Sequence, residues 1–256
     1  MPTVLIALGR GGTVPLGYQF ETAVQMHAWQ DLAGIGAPVR VFLLSDLLRD
    51  DFPVADIRLA VFLNAFMLTN DLRQAVKAKL QTDGRTVAWI FAPGLLDADA
   101  CTGDGSCTPS VATASELVGL PLTMHDTEAP LATTFLSHMI GNGPIITPPL
   151  AGSSYGSALG TVSPWLSCAE GSNVDESLLV LGRYSQGDGS SKAAICYRLN
   201  ENTASNYSAL FIGAPRPPLA FWRSLAESAG VFVYTDEVGT DDEAVNHYAD
   251  TVEVCV

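Results

Sequence analysis

The chain has 256 residues, 48% of them hydrophobic and 16% charged, with a net charge of −14. That composition excludes overall disorder. The acidity excludes nucleic acid as a partner, because phosphate neutralisation needs clustered Lys and Arg. It also argues against anionic membranes, and no apolar run approaches the roughly 18–20 residues of a membrane span.

Thr3 to Leu8 reads as a first strand and is followed by the Gly-rich turn Gly9-Arg10-Gly11-Gly12. Phe20 to Leu32 carries a helical apolar period, and Val39 to Leu44 is a second strand. Ser45-Asp46 opens a short helical turn that Pro53 ends. Leu59 to Leu63 is short, continuously apolar and bounded by charge, as a strand buried on both faces should be. Thr69 or Asn70 caps a helix with apolar Leu72, Ala75, Val76 and Leu80, and Gly84 ends it. Thr86 to Phe91 is the next strand, and it runs into Ala92-Pro93-Gly94. Such alternation predicts a mainly parallel sheet with right-handed crossovers and helices on both faces.

From about residue 101 to 172 the pattern weakens into an irregular excursion. One short helix is expected at Val111–Leu117, with short strands and Trp165 as a packing anchor. Glu176–Tyr184 and Ala193–Leu199 flank Gln186-Gly187-Asp188-Gly189-Ser190 as a β-hairpin. Tyr207–Ile212 is a strand, Leu219–Ala229 a helix, and Val231–Tyr234 and Thr251–Val256 are terminal strands. With no repeat and no linker, residues 1–256 read as one domain. Cys101 and Cys107 share a Gly-rich loop and could pair. Cys168, Cys196 and Cys255 stand apart, so reduced thiols and a cytoplasmic location are the default expectation.

Two stretches carry a resemblance: FLLSDLLRDDFPVADIRLAVFLNAF (42–66) and LQTDGRTVAWIFAPGLLD (80–97). Their shared pattern is Gly84, the strand Thr86–Phe91, Gly94 with Asp97, and an upstream strand ending at Asn64. The chain resembles class I glutamine-amidotransferase-like domains found beside glycoside hydrolase barrels. In particular it is similar to the trimerisation domain of family 42 β-galactosidases. The segment APRPPLAFWRSLAESAGVFVY (214–234) resembles the penultimate helix and strand of such domains. The resemblance implies a flavodoxin-like three-layer sandwich, with homo-oligomerisation or an attached or adjacent glycoside hydrolase as partner, and a carbohydrate as ligand. True amidotransferases of this fold place a Cys in a sharp strand-to-helix elbow, served by a His and a Glu. Here the elbow is Phe91-Ala92-Pro93-Gly94, with no thiol, and Pro93 lacks an N–H. No His-x-Glu follows; His247 precedes Tyr248 and Ala249. The resemblance therefore implies a degenerate elbow at Ala92, Pro93 and Gly94, no catalytic residue and no cofactor.

Other motifs are weaker. Gly152-Ser153-Ser154-Tyr155-Gly156 fits G-x-S-x-G, but Pro148-Pro149 precedes it and no helix follows, so it reads as a Gly/Ser loop. Gly9–Gly12 stands where a phosphate-binding turn would, without the required spacing. His125, Asp126 and Glu128 are adjacent in sequence, which does not place metal ligands on one face, and no metal is expected. His27 and His138 lack a supporting pattern. The acidic run Asp236 to Glu243 has no EF-hand spacing. Any ligand pocket is expected at the carboxyl edge of the sheet, from Arg10, Asp46, Asn64 and Asp97. The alternative to an accessory module is a hydrolase using such carboxylates, or a His, on a small sugar-related substrate.

Overall fold

The computed structural model describes residues 2–8, 28–103, 106–138, 146, 150–170, 177–185, 191–200 and 206–234. Arg10, His27, His247, the Gly9–Gly12 turn, the 236–243 acidic run and the expected strand 251–256 lie outside them.

In chain order the strands are β1 (Thr3–Leu8), β2 (Val39–Leu43), β3 (Ile57–Phe62), β4 (Met67–Leu68), β5 (Arg85–Ile90) and β6 (Leu96–Asp97). They continue with β7 (Leu122–His125), β8 (Ala129–Pro130), β9 (Thr133–Phe135), β10 (Ser154–Tyr155), β11 (Thr161–Val162) and β12 (Trp165–Cys168). The last are β13 (Leu178–Tyr184), β14 (Ala193–Asn200) and β15 (Tyr207–Ile212). Helices are α1 (Ala28–Ala33), α2 (Asn70–Lys79), α3 (Val111–Val118) and α4 (Leu219–Ser228), with a 3-10 turn at Leu44–Leu48.

The main sheet is eleven-stranded, with the path β10-β9-β13-β14-β15-β5-β3-β1-β2 and the β12–β7 pair attached through β14. β2, β1, β3, β5 and β15 pair in parallel. The strands beyond β15 pair antiparallel. This is the expected α/β, flavodoxin-like arrangement. The parallel core follows from continuous apolar runs: every residue of β5 and β15 is buried, and β3 exposes only Arg58. Phe62 and Trp89, in register on β3 and β5, stack at 4.0 Å.

α1 packs near α4. α2 packs on the 3-10 turn, where Lys79 Nζ donates to Leu47 O and Arg49 O, and reaches α3 through Lys77–Glu116. Thr69 caps α2, its hydroxyl accepting from Leu72 N at 3.3 Å. The helix ends at Lys79, before Gly84. Asp83 and Gly84 instead take positive φ values of 55° and 69° in the turn that feeds β5. The β13–β14 hairpin and β15 match the sequence reading. Val231–Tyr234 is not a strand; Val231 and Val233 are buried, and the Tyr234 amide donates to Gly36 O at 2.7 Å.

One cysteine reading changes. Cys101 and Cys107 form a disulfide, as their shared loop allowed. Cys168 and Cys196 form another, joining β12 to β14. Distance in sequence hid this pair: Cys168 pairs across the sheet with Ala193, which brings Cys196 within reach. These four thiols are therefore not reduced. Among the described residues no helix is long and apolar enough to cross a membrane.

Candidate functional site

The sheet changes direction of winding at β1, with β2 on one side and β3 on the other. In open α/β sheets the ligand crevice lies outside the carboxyl ends of the strands at such a switch point. Asn64 lies two residues beyond the carboxyl end of β3 and is buried at 3% exposure.

The elbow follows β5, one strand over. Phe91 sits there at φ 66°, a conformation that bulky residues rarely adopt. It is 3% exposed, and its ring meets Phe66 edge-on at 5.6 Å. The residue in the strained elbow conformation is therefore Phe91, with Ala92, Pro93 and Gly94 following it. No side chain of this turn can act as a nucleophile.

The amides of the turn are also engaged. Phe91 N–H donates to Ile212 O at 2.8 Å and Ala92 N–H to Ile90 O at 3.1 Å. Gly94 N–H donates to Ala65 O at 2.6 Å, Leu95 N–H to Ala92 O at 3.4 Å and Leu96 N–H to Phe66 O at 2.9 Å. Pro93 has none. An oxyanion hole needs N–H groups aimed at the reacting atom, and here each one is turned back into the protein. The loops after β3 and β5 are stitched together further by the parallel β4–β6 pair.

Arg73 holds this turn from behind. Its Nη2 donates to Gly94 O at 2.9 Å and Leu96 O at 3.1 Å, and the residue is only 6% exposed. Burial pulls its pKa below the ordinary arginine value, opposed by the negative charges of Asp97, Glu116 and Asp99. Nε and Nη1 are buried without a hydrogen-bond partner. A Cβ on Gly94 (φ 57°) would stand 2.6 Å from Leu117 Cδ2 and 2.7 Å from Arg73 Nη1. Sequence reading passed over Arg73, although its spacing from Val76 and Leu80 puts it on their buried helical face.

The two candidate carboxylates serve local turns. Asp46 Oδ2 accepts from Leu43 N at 2.9 Å, capping the 3-10 turn after β2. Asp97 Oδ1 accepts from Asp99 N at 3.0 Å. β2 and β5 are three strand spacings apart, roughly 14 Å. The fold thus brings Asn64 and the elbow together on neighbouring strands, with Asp97 further along the elbow loop, and leaves Asp46 at the far edge.

The remaining motifs take structural places. Ser154 of the G-x-S-x-G run lies in edge strand β10, not in a loop or elbow, and its hydroxyl bonds Thr134 Oγ1 at 2.7 Å. His125 stacks on Trp165 at 4.0 Å, and its Nε2 meets Ser167 Oγ at 2.9 Å. Glu128 meets Thr161 Oγ1 at 3.4 Å instead of converging on His125. Among the described residues no group of three His, Cys, Asp or Glu side chains is placed to hold a metal.

No family model matches the chain, and no curated protein matches it. Solved structures do. A β-galactosidase from Bacillus circulans sp. alkalophilus aligns with TM-score 0.53 and 13% identity, over 88% of this chain and 31% of its own. A β-galactosidase from the Antarctic haloarchaeon Halorubrum lacusprofundi aligns with TM-score 0.53 and 15% identity, over 90% and 30%. The likeness is to one part of each. At such identities it is a likeness of fold. A ThuA-like protein from Bacteroides uniformis aligns over 90% of this chain and 89% of its own, with 11% identity and TM-score 0.49.

Proposed function

We propose that this chain is a non-catalytic, amidotransferase-like accessory module, a single unit serving oligomerisation or carbohydrate-linked recognition beside a glycoside hydrolase. The observation that carries this reading is the elbow. A buried Phe91 holds the strained conformation, and the N–H groups from Phe91 to Leu96 are spent on internal hydrogen bonds. The fold likeness to about 30% of the length of two β-galactosidases supports a place beside a glycosidase. The expected result is no turnover above background when the purified chain meets glutamine, p-nitrophenyl esters or p-nitrophenyl galactosides. Robust turnover abolished by one substitution at a Ser, Asp or His rejects the reading and favours the carboxylate hydrolase.

A carbohydrate ligand, in this reading, lies at the β1/β3 crevice against Arg10 and Asn64, with Asp97 toward the elbow. Asp46, committed to its turn and three strands from β5, contributes at most from the rim. Titration calorimetry with galactose tests this placement. Heat that Asn64→Ala removes supports it, and heat untouched by that change places the sugar elsewhere.

A further inference from the structure

The two disulfides sit in opposite surroundings. Cys168 and Cys196 are 2% and 0% exposed, between β12 and β14. Cys101 and Cys107 are half-buried, and Thr102, Gly103, Ser106, Thr108 and Pro109 around them are exposed. Thiol–disulfide exchange needs a thiolate to reach one of the two sulfurs, so access decides which bond reacts. Exposed disulfides are also the labile ones. A link of sequence separation 6 gains less from loop closure than one of 28.

The accessible pair borders the turn after β5. Cys101 ends the 3-10 turn Ala98–Ala100, which follows β6 directly. Its Sγ lies 3.2 Å from Asp97 O. In the same turn Asp99 Oδ2 accepts from the amide of Asn70, the first residue of α2, at 2.7 Å. At the other end Ser110 caps α3, and its amide donates to Leu95 O at 2.8 Å. The disulfide therefore clasps the connection from β6 to α3, whose two ends grip α2 and the elbow loop. Thr102 N and Oγ1 both donate to Ser106 O, at 2.9 and 3.0 Å, and draw the two cysteines together independently of the bond.

We propose that Cys101–Cys107 is a thiol-exchange site for a dithiol reductant, and that its state sets how firmly Asp99 holds the start of α2. The reductant's thiolate attacks Cys107 Sγ and forms a mixed disulfide with it. The Cys101 sulfur leaves with the electron pair and takes a proton. Its S–H then donates to Asp97 O, an acceptor already 3.2 Å away. The reductant's second sulfur attacks its first, closing the reductant's own disulfide and releasing Cys107, which takes a second proton. Two electrons and two protons pass to the protein. Cys168–Cys196, shut between strands, takes no part. Once open, the 3-10 turn loses its tether to residue 107, and Asp99 leaves Asn70 more often. The Thr102–Ser106 contacts keep the thiols near each other, so the bond can re-form. This chemistry is independent of the accessory-module reading, since it requires neither turnover nor sugar.

The test treats the native full chain with dithiothreitol, quenches it at intervals with iodoacetamide and maps the labelled cysteines by mass spectrometry. Cys101 and Cys107 should be alkylated at least ~100-fold faster than Cys168 and Cys196, which must wait for the strands to open. After selective reduction the Asn70 amide should exchange with deuterium about tenfold faster, with the amides of β5 unchanged. Cys101→Ser combined with Cys107→Ser should show the same fast Asn70 exchange without reductant, and no further change with it. Equal alkylation rates for the two pairs overturn the exchange site, as does a Cys101–Cys107 bond that opens only in denaturant. Asn70 exchange alike in the oxidised and reduced chains overturns the coupling to α2.

Discussion

Gly94 stands where four constraints meet: the end of the elbow, the Leu117 side chain, the Arg73 guanidinium and a left-handed φ of 57°. Any Cβ there must displace Leu117 or the arginine that holds the Gly94 and Leu96 carbonyls. Gly94→Ala should cost about 1–3 kcal/mol, from overpacking together with an unfavourable φ, seen as a lower urea midpoint at unchanged slope. His125 supplies a pH dependence. Burial on the Trp165 face holds its pKa below the ordinary histidine value, and Lys192 adds to that while Asp126 opposes it. The unfolded chain therefore takes up a proton near pH 6.5 that the folded chain resists. Stability from this group is complete above that pH and falls as the pH drops through it. The urea midpoint should decline between pH 7.5 and 5.5, and His125→Asn should flatten part of that slope.

Elements differed in how far the sequence revealed them, for reasons of length and partner distance. β3, β5 and β15 were plain as uninterrupted apolar runs, because burial on both faces removes any need for alternation. α2 was plain from its period and cap. Thr69→Ala should cost about 1 kcal/mol, measured as a fall in thermal or urea stability, since Leu72 N would lose its acceptor. The end of α2 was misplaced because Gly84 reads equally as a helix stop and as a turn residue, and only the approach to β5 decides. Strands β7 to β12 run from two to four residues, too short for a period-2 pattern to stand out. The alternation of Val231 to Tyr234 mimicked a strand, although it marks a segment with alternately buried and exposed side chains. In the turn after β5, the residue types Phe91, Ala92, Pro93 and Gly94 were plain from the sequence. The engagement of the turn's amides and the role of Arg73 were not, because both depend on which carbonyls the β3 and β5 loops bring near.

Across the whole molecule, the Cys168–Cys196 bond ties the attached β12–β7 pair to β14. It closes a loop of sequence separation 28, against 6 for Cys101–Cys107. On chain-entropy grounds, removing the first by Cys168→Ala with Cys196→Ala should cost about 3–4 kcal/mol, and removing the second about 2. Chemical denaturation of both double variants should rank them in that order. Equal losses would mean that strain or residual denatured structure outweighs loop entropy.

β15 has a further bearing, on the order in which the chain is made. It closes the parallel core by lying beside β5, yet it leaves the ribosome roughly 120 residues later, which at 5–20 residues per second is about 6–24 s. Throughout that interval the flank of β5, Arg85–Ile90, has only β3 beside it and presents an apolar ribbon to every nascent neighbour. Ribosome-bound fragments halted before Tyr207 should accordingly engage holding chaperones, and fragments halted well past Ile212 should release them.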